Sequence, residues 1–341
     1  MKACSLLLGL GALLLGVAVE VMPLHASQSR LFPPLGRSTR ARIVPIRSAN
    51  PGVLNLVNPN QFSRLFVLSD VHGMFQPLTR LLTQAKIINP SGHWNAGNSM
   101  LMIIGDSIDK GPDSVDVISL WLRISQEAQA QGGFVLHLLG NHEAAFLARV
   151  KPAEAGFTFE QELGEKGISP DQYLNPANLG GRYFRSMPVA AQIGNWIFCH
   201  SGMIPDMSIQ NLAQQSSALL NTNRYADPFF LASDSILEAK GWWSMNSPSR
   251  ADLMRRLDQN QLRGLVFGHQ PVAFNVPGAA AMSLDQRLIK VDNGMAPEAG
   301  AHAGSIVYFA NYGDLFRNQA VNVMALVGGT ARALPRELPS P

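Results

Sequence analysis

Six side chains with nitrogen or oxygen donors recur in similar local settings along the chain: Asp70, His72, Asp106, Asn141, His200 and His269. Each follows a short apolar run and lies close to a glycine (Gly73, Gly105, Gly140, Gly202 and Gly268) that lets a tight turn bring backbone near a bound ion. One cation takes about four protein ligands, so six donors with one shared carboxylate suit two cations. Two ions about 3.5–4 Å apart clamp the attacking and leaving oxygens of a phosphoryl transfer. Asp106 is the natural bridge, because a carboxylate between two cations offsets their repulsion. No cysteine stands among the donors. That points away from a structural zinc module and toward Mn, Fe or Zn in an open catalytic centre. His142, next to Asn141, projects differently and is a candidate general acid for the departing oxygen. Asp109, three residues past Asp106, is placed to hold that imidazole in one tautomer. A hydroxide between the two metals is then the expected nucleophile, and no phosphoenzyme is needed.

The fold has to gather these donors, and the apolar runs before them say how. Strands are expected at Leu65 to Leu68, Met100 to Ile104, Phe134 to Leu139, Trp196 to Phe198, Leu265 to Phe267 and Leu288 to Val291. Helical spacing of apolar residues marks Phe75 to Ala85 and Ser114 to Ala130. Runs of this length alternating with helices read as an α/β layered sheet buried on both faces, with the ligand at the carboxyl ends of the strands. If strand geometry continues through them, Asp70 and His72 point the same way. The stretches 151–179 and 221–250 are polar and rich in Gly and Pro, and read as insertions or loops over the site.

Composition locates the charge and excludes several classes. The chain has 341 residues, 46% hydrophobic and 15% charged, with two cysteines. Wholesale disorder and a disulfide scaffold are thereby ruled out. Residues 1–26 carry Lys2, an apolar run from Ser5 to Val19 and a small residue, Ala26, at a plausible cut, the pattern of a secretory signal. Export to a periplasmic or secreted location is expected; a retained membrane anchor is the alternative. Removal of the leader takes Cys4 with it and leaves Cys199 alone. Residues 27–60 contain five arginines, five prolines and no acid, and read as an extended linker. Setting those arginines aside, with Lys2 cancelling Glu20, turns a formal charge of +3 into −2 for residues 61–341. The slightly acidic body gives no support to nucleic-acid binding. A catalytic domain is expected over 61–312, followed by a strand and tail over 313–341.

The motifs Asp70-Val71-His72-Gly73, Gly105-Asp106-Ser107-Ile108-Asp109-Lys110-Gly111 and Gly140-Asn141-His142-Glu143 resemble the signature turns of calcineurin-like metallophosphoesterases. Cys199-His200-Ser201-Gly202 and Gly268-His269 complete the series in order. The version is similar to the phosphoprotein phosphatase branch. Gly92-His93-Trp94, Gln131-Gly132-Gly133, Met187-Pro188 and Val291-Asp292-Asn293-Gly294-Met295 resemble the Shewanella-like protein phosphatases. The resemblance implies a two-sheet β-sandwich flanked by helices. It assigns Asp70, His72 and Asp106 to one metal, and Asp106, Asn141, His200 and His269 to the other, with His142 as acid and Asp109 as its partner. The implied substrate is a phosphorylated protein or a small phosphoester, with nucleotide or diadenosine polyphosphate hydrolysis as the alternative. A catalytically weak phosphate-binding scaffold is the third reading.

Three departures from the family pattern bear on substrate binding. Lys110 stands where Arg is usual, exchanging a two-pronged phosphate grip for one point charge. Ser201 replaces a glycine. Trp242-Trp243-Ser244-Met245 replaces a Trp-x-Arg pattern, and Arg250 is the nearby candidate to supply the guanidinium. His93, His137 and His302 lie off the motif ends and are expected to be structural, as is Cys199.

Overall fold

A computed structural model describes residues 49–151, 156–317 and 319–339. The expected leader, 1–26, and most of the expected linker lie outside the described residues. In chain order the strands are β1 (Val53–Leu56), β2 (Leu65–Leu68), β3 (Met100–Ile104), β4 (Phe134–Leu138), β5 (Ala190–Ile193) and β6 (Trp196–Cys199). They continue with β7 (Gly264–Phe267), β8 (Ala281–Met282), β9 (Leu288–Lys290), β10 (Ile306–Phe309), β11 (Val323–Val327) and β12 (Thr330–Ala333). They form two six-stranded mixed sheets, ordered β12-β11-β10-β2-β3-β4 and β1-β5-β6-β7-β9-β8.

In the first sheet β2, β3 and β4 run parallel, with Leu65 opposite Met100 and Met100 opposite Phe134. Parallel strands need crossovers, and helices α1 (Phe75–Gln84) and α2 (Ser114–Ala130) supply them. Every residue of β2 and β3 is buried, which is why these strands read as unbroken apolar runs rather than alternating ones. In the second sheet β6, β7 and β9 are parallel, while β5 and β6 form an antiparallel hairpin through Gly194-Asn195. Gly194 takes a positive φ of 56°, suited to a two-residue hairpin loop.

The sheets face each other across one core. Val67, Met102 and Leu138 from the first meet Ile193, Phe198, Val266 and Ile289 from the second. Phe309 packs edge-on against both Trp196 and Phe198, each with ring centroids 6.4 Å apart. The outward faces are covered by helices; α2 buries Val117, Ile118, Trp121 and Ile124, and its Trp121 Nε1 donates to Ser107 Oγ at 3.0 Å. The result is the two-sheet sandwich flanked by helices that the motifs imply.

The expected linker over 27–60 is too long. Asn50 donates from Nδ2 to Arg185 O and Met187 O, and β1 adds a parallel edge to β5. A four-residue strand between Pro51 and Pro59 is short enough for its prolines to mask it in composition. The segment after residue 312 holds two strands, β11 and β12, where one was expected. After α3 (Asn141–Ala148), the stretch 151–179 contains α4 (Phe159–Glu165), α5 (Pro170–Leu174) and the first residue of α6 (Leu179–Ser186). Past α7 (Ile209–Asn221), the stretch 221–250 contains α8 (Pro228–Leu231) and the start of α9 (Pro248–Gln259). Capping side chains from Thr158, Ser169, Asp227 and Ser247 start α4, α5, α8 and α9. Three of them have only four to seven residues, too few for apolar periodicity to register. Among the described residues no helix is long and apolar enough to cross a membrane.

Trp196 is fully buried at the contact between the sheets. Trp196→Ala is expected to lower stability by about 3–5 kcal/mol, read from the urea midpoint at unchanged slope.

Candidate metal centre

Every expected donor stands just past a strand end or at the start of a helix. Asp70 and His72 follow β2, Asp106 follows β3, His200 follows β6 and His269 follows β7, while Asn141 opens α3 (Asn141–Ala148) after β4. Strand geometry does not continue through Asp70 and His72, as the two-residue spacing had suggested. Both adopt left-handed backbone, with φ of 54° and 47°. Asp106, Asp109, Lys110 and His269 do the same. Left-handed backbone costs roughly 1 kcal/mol or more at each non-glycine residue, so the surrounding turns must impose it. They do so with backbone bonds: His72 N donates to Asp106 O at 2.9 Å, Gly73 N to Ser107 O at 2.9 Å, and Gly111 N to His72 O at 2.8 Å. Gly140 lies so close to Asp106 that a Cβ there would collide with its carboxylate and amide.

The turns bring ligand atoms of His72, Asp106 and His142 within 4.8 Å of one another, and those of Asp106, His200 and His269 likewise. Asp106 belongs to both groups. Its Oδ2 lies 3.6 Å from His72 Nε2, and its Oδ1 lies 3.3 Å from His200 Nε2 and accepts from His142 N at 3.1 Å. Asp70 Oδ1 is 3.9 Å from His72 Nε2, while its Oδ2 accepts from His269 N and Ser69 Oγ. Asn141 Oδ1 lies 2.9 Å from His200 Nε2.

Carbonyls can only accept, so they fix which nitrogen of each histidine carries its proton. His72 Nδ1 donates to Ile108 O at 3.1 Å, His200 Nδ1 to Ile104 O at 2.7 Å and His269 Nε2 to Glu238 O at 3.2 Å. The other nitrogen of each ring is the one left for an ion. Burial, with Lys110 nearby, holds His72 well below the ordinary imidazole range, and burial beside His200 does the same to His269. His200 behaves oppositely: burial favours the neutral ring, but Asp106 outweighs it and holds the pKa at about 10. Lys110 Nζ likewise sits 3.2 Å from His72 Nε2. The chain's own positive charges thus approach the two donor groups, which fits sites built for cations. Burial raises Asp70 to about 6, while Asp106 is pulled well below the carboxylate range by His200 and His142 against its own burial.

His142, a member of the first donor group, is also paired with Asp109. His142 Nδ1 lies 2.6 Å from Asp109 Oδ2, and Asp109 Oδ1 accepts from Phe159 N at 2.6 Å. Burial works against a charged His142, but Asp106 and Asp109 together raise its pKa. Nε2 of that ring faces Asp106 Oδ2 at 3.9 Å.

Arg250 is not available as a phosphate ligand. Its guanidinium is buried and bonded two-pronged to Glu337, with a further bond from Nη1 to Trp243 O at 2.9 Å. The sequence offered Arg250 by proximity alone, and its carboxylate partner lies 87 residues away. Trp242 is buried against Phe267 and donates to Ser201 O at 2.9 Å. Ser201 anchors the same loop: its N donates to Ile236 O and its Oγ to Ser235 O, both at 3.1 Å. His93 is exposed and paired with Glu127, and His137 lies buried between Ser107 Oγ and Tyr183. Burial pushes the Cys199 thiol up to about 12, as befits a core filler.

Glu143 is the supporting residue that donor spacing missed. Its carboxylate accepts from Asp106 N at 2.8 Å, Ser107 N at 2.7 Å and Gly140 N at 3.1 Å, tying two signature turns together. An acid at the third helical position after Gly140 is a capping signal, and that was the available cue. Ser69, which bonds Asp70, carried no cue beyond adjacency.

A buried carboxylate shared by two donor groups at strand ends of a sandwich, with a histidine–aspartate pair beside it, defines a metal-dependent phosphoesterase. A family profile described as calcineurin-like phosphoesterase matches residues 63–273, and the chain belongs to that family. It is 23% identical over 273 residues to Shewanella-like protein phosphatase 1 of Plasmodium berghei, covering 75% of this chain and 70% of that one. A symmetrical bis(5'-nucleosyl)-tetraphosphatase of Neisseria meningitidis is 25% identical over 173 residues, 48% of this chain and 53% of that one. The crystal structure of a cold-active protein-tyrosine phosphatase from a psychrophilic Shewanella superposes with a TM-score of 0.66 at 19% identity, covering 85% and 84% of the two chains. The family and the donor groups together imply two metal ions.

Asp109→Asn is expected to lower the His142 pKa. A general acid works only while protonated, so the alkaline limb of kcat/KM moves to lower pH, and kcat falls by roughly 10²-fold or more. Stopped assays across about pH 5–9, roughly two units either side of neutrality, check this. Glu143→Ala leaves three buried N–H groups without their acceptor, at about 1–3 kcal/mol each. It is expected to lower both the melting temperature and the bound metal measured by elemental analysis.

Proposed function

We propose that this chain is a dinuclear-metal phosphomonoesterase acting on phosphorylated protein. The observation that carries the reading is the shared position of Asp106 between two donor groups, one of which contains His142 paired with Asp109. In this reading Asp70, His72 and Asp106 hold one ion, and Asp106, Asn141, His200 and His269 hold the other. Two transition-metal ions (Mn, Fe or Zn) would polarise the phosphoryl oxygens and acidify water. His142 Nε2 gives its proton to the departing oxygen, and Asp109 keeps the ring oriented through Nδ1. Lys110 offers a single ammonium to the phosphate, a weaker orienting contact than a guanidinium.

The protein substrate is supported by the Shewanella-like protein phosphatase that the chain matches over most of both lengths. Dinucleoside polyphosphate hydrolysis is a second reading, favoured by the Neisseria relative over about half of the chain. An exported location is part of the proposal and rests on the apolar leader alone.

Purified enzyme reconstituted with Mn is assayed on phosphotyrosine and phosphoserine peptides and on diadenosine tetraphosphate. Phosphopeptide turnover is expected, abolished by chelation and reduced by Asp106→Asn about 10³-fold or more. Turnover of the dinucleotide alone would replace the protein-phosphatase reading with the second. Activity unchanged in Asp106→Asn would sink the dinuclear mechanism.

A further inference from the structure

The loop over 235–243 is clamped to the turns that carry His200 and His269. Besides the bonds to Ser201, His269 Nε2 donates to Glu238 O, Gly241 N donates to Gln270 Oε1 at 2.8 Å, and Gln270 Nε2 donates to Ser201 O at 3.0 Å. These ties end at Trp242, which is buried. The next residues, Trp243 to Met245, are partly or largely exposed and form the outer rim of the loop.

At the rim Ser247 N donates to Ser244 O at 3.0 Å, and the remaining hold comes from farther along the chain. Trp243 O accepts from Arg250 Nη1, and Arg250 also lies over the Phe274 ring at 5.8 Å, with Trp243 edge-on to the same ring at 6.4 Å. Arg250 is 8% exposed and Glu337 4%. A guanidinium this buried stays in place only with a full counter-charge. Glu337 provides it, bonding Nη1 through Oε1 and Nη2 through Oε2. The backbone around Glu337 is fixed in turn. Glu337 N donates to Met282 O at 2.9 Å, Met282 N to Pro335 O at 2.9 Å and Leu338 N to Phe274 O at 3.0 Å. Phe274 lies five residues past His269, so one segment braces both the rim and the stretch that follows a metal-ligand candidate.

We propose that Glu337 is a positioning residue that, through Arg250, sets the Trp243–Met245 rim against which a protein substrate docks. The proposal rests on the protein-phosphatase reading for its substrate and on geometry alone for the brace. Because the inner loop is tied independently to Ser201 and Gln270, the effect falls on substrates that extend past the phosphoryl group.

The test uses full-length enzyme with Glu337→Gln, Glu337→Asp and the double substitution Arg250→Met with Glu337→Met. The double variant removes the ion pair without stranding a buried charge, and so keeps the fold. In Glu337→Gln and the double variant, KM for a phosphopeptide is expected to rise about fivefold or more while kcat stays within about twofold. Both constants for p-nitrophenyl phosphate, and the metal content, should stay within about twofold of the parent. Glu337→Asp should recover most of the phosphopeptide KM. Hydrogen exchange at Ser244 to Ser247 should quicken about tenfold, with 197–203 unchanged. Unchanged phosphopeptide KM and unchanged exchange in the double variant would overturn the proposal. So would equal losses on both substrates, which mark a general structural role. If the parent turns over neither substrate, the phosphatase reading falls, and exchange at the rim alone still decides whether Glu337 sets it.

Discussion

The centre depends on one carboxylate that water cannot reach. Asp106 is 1% exposed, and an isolated carboxylate so deeply buried would be neutral. Against that burial it stays ionised because positive partners stand beside it, His200 on one side and His142 on another. The amide of His142 at the start of α3 adds a donor where the helix carries its positive end. Two more donors leave the Asp106 and Ser107 backbone for Glu143. A second carboxylate is therefore buried to hold the first in place, and its pKa climbs to about 7 through burial and its proximity to Asp106. The arrangement concentrates negative charge that histidine protons and a lysine only partly offset. Two divalent ions would complete it.

Holding that charge requires backbone that ordinary side chains avoid. Six residues at the centre sit in left-handed conformations, imposed by turns bonded to one another across strand ends. Parallel strands suit this task, since β2, β3, β6 and β7 all deliver their carboxyl ends to one place. The two sheets pack over a shared apolar core, so the turns are fixed from both sides. The strain is affordable only because the core beneath it is rigid.

This organisation explains what was legible in the sequence. The buried parallel strands announced themselves as apolar runs, and Leu65–Leu68 and Met100–Ile104 occupy their expected bounds. The donors were legible because metal chemistry restricts residue type and each stands at the end of such a run. What escaped was whatever depends on distant partners. β1 is four residues between prolines and becomes a strand only against β5. Arg250 was offered as a phosphate ligand for lying near Trp243, but its position is decided by Glu337, 87 residues on. Local pattern cannot see a partner at that separation. Asp70 and His72 show a subtler limit: their convergence is real, but it comes from left-handed turns and not from the period of a strand.

Two layers of the site differ in how they are held. The candidate metal donors sit on turns locked by several backbone bonds. Lys110 differs, an ammonium on a long side chain from a left-handed turn, 3.2 Å from His72 Nε2. A single ammonium can meet a phosphate oxygen from several directions, whereas a planar guanidinium needs a fixed two-pronged partner. In the proposed reading, discrimination among phosphoesters falls to groups farther out, among them the loop that passes from Ser235 over Ser201 and Gln270 to Trp243. That loop is the part of the site least constrained by the chemistry and most dependent on long-range packing.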